Sequence, residues 1–270
     1  MMVTHKSHVL DVAGARIHYE VRGSGPALLL IPGSNGDAGF FDAMADRLAD
    51  RYMVISYDRR GFSRSPASEE PAGWIETHVE DARRLIDSVA EEPVRVFGTS
   101  AGAVIGLALI GWHPHKVGRL VAHEPPLLEV LPDAPRWRAF FEDVVATHQS
   151  QGADAAMRQF MTGIGMGEAQ RPADLDPELL GRMAGIAHTV LTQEVPNAPS
   201  HRPDLAALDA HHARIVLAGG RDSRAHFPYQ PAVVLAARWN QQVIEFPGDH
   251  LGYWSHPAEF AATLTDAMAM

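Results

Sequence analysis

The sequence predicts an α/β fold: a mostly parallel, eight-stranded sheet with helices on both faces and a helical segment inserted late in the chain. Three observations predict it. Six short continuous apolar runs recur along the chain, helical segments separate most of them, and one long interval holds no convincing strand. A continuous apolar run suits a strand buried on both faces, and strand–helix alternation is how parallel strands are connected.

The first element is a hairpin over residues 8–22. Val9-Leu10-Asp11-Val12 leads to a turn at Ala13-Gly14, and residues 16–21 return. The six runs follow: Ala27-Leu28-Leu29-Leu30-Ile31, Met53-Val54-Ile55-Ser56, Val94-Arg95-Val96-Phe97, Leu120-Val121-Ala122, Ile215-Val216-Leu217-Ala218 and Val243-Ile244-Glu245-Phe246. With the hairpin they make eight strands. Helices are expected over 37–50, 74–91, 100–113, 227–239 and 257–268, the last with Phe260 and Leu264 on one face.

Residues 127–212 break the rhythm. They are far longer than the roughly 2–6 residues that usually connect α/β elements. Helical stretches over 137–149, 153–162 and 177–192 surround a glycine-rich link, Gly163-Ile164-Gly165-Met166-Gly167. The segment reads as a helical cap over 127–212, inserted into a core of 1–126 and 213–270. Trp137, Phe140, Phe141, Met157, Phe160 and Met161 of the cap could face a substrate; helix-to-helix packing is the more common use of such residues.

Composition narrows the function. The chain has 270 residues, 46% of them hydrophobic, enough for a large core. A net charge of −10 with no basic cluster argues against nucleic acid and anionic membrane as partners. The start lacks a signal-type apolar stretch, because His5, Lys6, Ser7 and His8 interrupt it, so a cytoplasmic location is expected. Without cysteine there is no thiol nucleophile and no thiolate metal site. His113/His115 and His211/His212 lack the helical spacing of zinc proteases and read as solvated loop residues, so no metal is expected. Oligomeric state is not legible.

The chemistry centres on Val94-Arg95-Val96-Phe97-Gly98-Thr99-Ser100-Ala101-Gly102. An apolar strand enters Gly-x-Ser-x-Gly and a small-residue helix leaves it. This shape lifts a serine hydroxyl clear of the backbone toward a base, above a helix N-terminus. A Cβ at Gly98 or Gly102 is expected to collide with the neighbouring strand or helix. A nucleophilic serine needs a base, an orienter and oxyanion donors, and in such folds sites gather at the carboxyl ends of parallel strands. Two more strand ends offer them: Gly219-Gly220-Arg221-Asp222-Ser223, and Pro247-Gly248-Asp249-His250-Leu251-Gly252. Ser100, Asp222 and His250 are thus the expected nucleophile, acid and base. The oxyanion donors are expected to be the backbone N–H groups of Ala101 and of Ser34, in the loop Pro32-Gly33-Ser34-Asn35-Gly36. Asp249 reads as a turn former, since adjacent side chains diverge. Trp112 reads as core, and Trp254 as either a pocket border or packing beneath the last helix.

These motifs, together with Tyr57-Asp58-Arg59-Arg60-Gly61-Phe62-Ser63-Arg64-Ser65, resemble the α/β-hydrolase fold superfamily over nearly the whole chain. The order Ser…Asp…His is that superfamily's. The resemblance implies that the block over 58–65 closes the loop beside the site, with Arg59 and Arg60 structural. Two departures stand out. Many relatives have His-Gly where this chain has Pro32-Gly33. Glu124, in His123-Glu124-Pro125-Pro126, occupies a strand end where some relatives carry the acid. Asp222 is favoured because its glycine turn fills the usual position; Glu124 is the alternative acid.

The implied activity is a cofactor-free serine hydrolase that cleaves a small or medium hydrophobic ester or lactone through an acyl-enzyme. The same triad serves carbon–carbon bond hydrolases and cofactor-free haloperoxidases, and some relatives are ligand receptors that do not turn over. The serine argues against the haloalkane dehalogenase and epoxide hydrolase relatives, which carry aspartate at the elbow.

Overall fold

The apolar runs become strands because each can bury alternate residues on opposite faces. The computed structural model describes residues 5–68, 73–166 and 176–270. Its strands are β1 (Lys6–Val12), β2 (Ala15–Arg22), β3 (Ala27–Ile31), β4 (Met53–Tyr57), β5 (Val94–Thr99), β6 (Val117–His123), β7 (Ile215–Gly220) and β8 (Ile244–Phe246). They form one eight-stranded sheet in the order β1-β2-β4-β3-β5-β6-β7-β8. β2 runs antiparallel to β1 and β4, and the pairings from β4 to β8 are all parallel.

Two helical layers cover the sheet. α1 (Asp42–Leu48) lies on one face; α2 (Trp74–Val89) and α3 (Ala101–Trp112) lie on the other. In β3, Leu29 and Ile31 pack with the α2 and α3 layer, while Leu28 and Leu30 pack with α1. Full burial of all four explains why this strand shows no alternation in sequence. β6 begins earlier than its apolar triplet suggests, because Val117 and Arg119 also pair with β5.

Between β6 and β7 the described residues form helical elements only. These are α4 (Ala134–Gln151), α5 (Ala153–Gly163), α6 (Pro177–Met183), α7 (Ile186–Thr189), α8 (Val195–Asn197) and α9 (Leu205–His211), with short 3₁₀ turns. The insertion has its own core, including Phe141, Phe160, Val190, Leu191 and Val195, joined by Phe62 and Phe227 from outside it. The single helix expected over 177–192 is broken at Gly185 and ends in a π-helical turn, Val190–Glu194. Gly167 of the expected glycine-rich link lies outside the described residues. α10 (Gln230–Arg238), α11 (Gly252–Ser255) and α12 (Pro257–Ala269) complete the two layers. Trp112 corrects the expectation of a core residue: at the last position of α3 it is 40% exposed. Trp254 is buried against Phe40, ring centroids 5.0 Å apart, and packs beneath α12 rather than bordering the cavity. Among the described residues no helix is long and apolar enough to cross a membrane.

Candidate active site

β5 delivers Ser100 to the start of α3 with φ 54° and ψ −126°, a strained backbone for a residue with a side chain. Close packing holds the turn. A Cβ on Gly98 would lie 2.3 Å from the Gly102 carbonyl oxygen, and one on Gly102 would lie 2.2 Å from that of Ile31. The Ser100 N–H donates to the His123 carbonyl, 2.9 Å away, tying the elbow to β6.

Glu124 follows β6 with φ 49° and is fully buried. Its N–H donates to the Ala218 carbonyl of β7. Its two carboxylate oxygens have separate duties. Oε1 accepts from the Gly220 N–H at 2.7 Å and from the Ser223 hydroxyl. Oε2 lies 2.5 Å from Nδ1 of His250, which sits in the turn after β8. Burial alone would raise this carboxyl. The charge and hydrogen bond of His250, with smaller help from His123 and Ser223, outweigh burial and hold it at about 2.

Asp222 is not at the site. It lies in a short 3₁₀ turn, Arg221–Ser223, that buries Ser223 and leaves Asp222 exposed. The structure therefore corrects the expected pairing: His250 meets Glu124, not Asp222. The glycines after β7 serve close approach. A Cβ on Gly220 would lie 2.5 Å from the Asp249 carbonyl oxygen, and one on Gly219 would meet the Tyr229 ring at 2.4 Å and Glu124 Cγ at 3.4 Å. Asp249 accepts from the Leu251 N–H at 2.9 Å, as its reading as a turn former expects. His250 and Ser100 both border His123, whose ring is 6.3 Å from that of His250. Among the described residues no hydrogen bond closes Ser100 Oγ to His250; such bonds commonly tighten only when substrate is bound.

The loop after β3 passes directly over Ser100. A Cβ on Gly33 would fall 2.9 Å from Ser100 Cβ. The loop is braced by Arg59, whose Nη2 donates to the Gly33 carbonyl at 2.7 Å, and by Asn35, which donates to the Tyr253 hydroxyl at 3.0 Å. Ser34 and Ala101 flank Ser100 on the wall of one cavity. Ala101 opens α3, so its N–H has no acceptor within the helix. Arg60 has the structural role expected of it, with two nitrogens on the Asp81 carboxylate.

The cavity encloses about 640 Å³ of empty space, part of it open to solvent. Its wall is mainly apolar: Val104 and Pro126 from the core, Leu127, Leu128, Phe141, Phe160 and Val195 from the insertion. Of the six insertion residues expected to pack or to face a substrate, Phe141 and Phe160 both pack in the insertion core and line the cavity. Trp137, Phe140, Met157 and Met161 pack in the insertion core only. Three polar lining residues were not anticipated: Trp74, Glu194 and His201. Glu194 is ion-paired with Arg59, and burial lowers the His201 imidazole below its ordinary value. No sequence motif marks any of the three; they meet only because α2 and the insertion converge above the sheet.

The sequence pattern of the α/β hydrolase fold family matches residues 26–257. The uncharacterized hydrolase YraK of Bacillus subtilis (strain 168) is 39% identical over 274 residues, covering 98% of this chain and 97% of that protein. An α/β hydrolase from Sphaerobacter thermophilus superposes with a TM-score of 0.70 at 25% identity, covering 96% of this chain and 99% of that one. The enol-lactonase from Burkholderia xenovorans shares the fold, with a TM-score of 0.66 at 18% identity and coverage of 97% and 100%.

Proposed function

The chain belongs to the α/β hydrolase fold family and is a hydrolase; from that premise we propose that it is a serine hydrolase that cleaves a small or medium hydrophobic carboxylic ester or lactone. The observation that carries this reading is Ser100, held at φ 54° on the wall of an apolar cavity between Ser34 and Ala101. Residues 127–212 act as a cap that partly covers that cavity.

His250 takes the proton of Ser100 Oγ as the oxygen attacks the ester carbonyl carbon. The Ser34 and Ala101 amides hold the resulting oxyanion. Glu124 accepts from Nδ1 of His250, which leaves Nε2 as the atom that receives and returns the proton. Its charge stabilises the imidazolium. Collapse of the tetrahedral species expels the alcohol, protonated by His250. Water then enters by the same route, releases the acid and restores Ser100. Every step uses residues of this chain.

The test is intact mass after treatment with a small fluorophosphonate, on the wild type and on Ser100→Ala. A single adduct on the wild type alone supports an activated Ser100. Folded wild-type protein that takes up no adduct, with no turnover of short-chain esters, counts against the reading.

A further inference from the structure

Two buried polar atoms on residues that line the cavity have no hydrogen-bond partner. One is Nε1 of Trp74, a donor. The other is Oε2 of Glu194, an acceptor on a residue 6% exposed. Leaving a buried polar atom without a partner is costly, more so when it is charged, so native proteins rarely do it. The cavity around them is otherwise largely apolar.

The local structure explains how Glu194 comes to line the cavity. It ends the π-helical turn Val190–Glu194, and such turns carry an extra residue that shifts side-chain direction. Its Oε1 pairs with Nη2 of Arg59, the nitrogen that also braces the Gly33 carbonyl beside Ser100. Oε2 is left over. Arg59 is itself fully buried and stacks over the Phe62 ring at 4.8 Å, which limits its freedom to turn and satisfy both oxygens.

We propose that Glu194 and Trp74 form a polar specificity subsite, in which Glu194 Oε2 accepts a hydrogen bond from a hydroxyl on the substrate and Trp74 Nε1–H donates to a substrate oxygen. This rests on the serine hydrolase reading and deepens it: the substrate is a hydroxylated ester or lactone rather than a plain aliphatic one. Arg59 neutralises the Glu194 charge, so the subsite takes a neutral donor and gains little from a cation. Glu194 is a binding residue here and takes no part in bond breaking.

The test uses ethyl hexanoate and its analogues carrying a hydroxyl or a ketone at carbon 3, 5 or 6 (an aldehyde at carbon 6). A hydrogen bond to a charged acceptor corresponds to a preference of about tenfold or more. At one position at least, the wild type should favour the hydroxyl over both the parent and the carbonyl analogue by that factor in kcat/KM. In Glu194→Gln, Arg59 keeps the amide oxygen and the amide NH₂ turns to the cavity, so the preference should swing toward the carbonyl analogue. A merely structural Glu194 would lower all rates together and leave the order unchanged. Trp74→Phe supplies a second variant: it should shrink the preference for either oxygenated ester over the parent. The same esters titrated into Ser100→Ala protein read selectivity as affinity, without turnover. Selectivity in binding without a fluorophosphonate adduct on the wild type would sink the hydrolase reading and leave the subsite standing. An adduct with no hydroxyl preference, or a preference that survives Glu194→Gln unaltered, overturns the subsite alone.

Discussion

Glu124 and His250 stand 2.5 Å apart, Oε2 to Nδ1, beyond the carboxyl ends of β6 and β8, the strands on either side of β7, with the carboxylate's other oxygen pinned by Gly220 and Ser223. The loop after β7, where the acid was expected, thus donates hydrogen bonds to the acid that follows β6. A carboxylate with both oxygens engaged has one orientation, and so does the imidazole it holds. A Glu side chain is one methylene longer than Asp, and Glu124 starts from a left-handed backbone at the very end of its strand.

Exchanging the two candidate acids separates their roles. Glu124→Gln leaves the shape intact but lets the amide favour the wrong imidazole tautomer, so kcat should fall by roughly 10⁴-fold, the scale of an orienting carboxylate lost. Asp222→Asn, on an exposed turn, should change kcat/KM by less than about twofold. Steady-state kinetics on both variants decides the matter. A large loss in Asp222→Asn with a mild Glu124→Gln would return the acid to Asp222.

Strands were legible where burial on both faces leaves an uninterrupted apolar run, as in Ala27–Ile31, whose observed bounds match the run itself. β6 was clipped because Gly118 and Arg119 interrupt its pattern, although Val117 and Arg119 still pair with β5 on either side of an irregularity at Gly118. The elbow at Ser100 was legible because its glycines answer to collisions with adjacent backbone. The acid was not, because Asp222 and Glu124 both follow strand ends and only side-chain direction separates them. A 3₁₀ turn that buries Ser223 and exposes Asp222 leaves no mark in composition. Glu194 was hidden for a similar reason: one extra residue in a π-helical turn moves its side chain off the helical period.

Gly33→Ala probes the oxyanion loop. Its Cβ would fall 2.9 Å from Ser100 Cβ and 3.1 Å from the Thr99 carbonyl oxygen, so the loop must retreat from Ser100. Displacing one backbone donor from the oxyanion should cost about 10²–10³ in kcat. The sheet lies outside the disturbance. The variant should therefore keep its circular dichroism spectrum and most of its Tm while losing activity on short-chain esters.

Arg182→Met tests how the insertion is fastened. Arg182, in α6, donates through Nε to Asp37 Oδ2 at 2.6 Å, and the same buried carboxylate accepts from the Gly39 N–H and the Ser63 hydroxyl. Removing this cation leaves Asp37 with those two donors and the more distant Arg64 guanidinium, 3.7 Å away, at a cost of about 1–3 kcal/mol. Urea unfolding should show that loss. KM should rise more than kcat falls, since α6 bears on the insertion and not on the Ser100 elbow.

His123 sets an acid limit to stability. It is fully buried among the rings of Phe97, Phe246 and Phe260. Burial, aided by the charge of His250 and opposed by Glu124, pushes its imidazole down to about 4 from an ordinary value of 6.5. In the unfolded chain the ring takes up a proton near pH 6.5, whereas in the folded protein it resists until about 4. Between those values the unfolded state binds more protons, so acidification favours unfolding. The stabilising contribution is complete above pH 6.5 and is lost as the pH falls toward 4. From pH 6.5 to 5 the expected loss is about 2 kcal/mol. His123→Phe removes the proton-binding group and offsets stability equally at every pH through the loss of the Thr99 contact. Urea titrations at pH 7, 6 and 5 should therefore show a shallower decline in the variant than in the wild type. Parallel declines would mean that the acid sensitivity resides elsewhere, with the buried His78 the next group to replace.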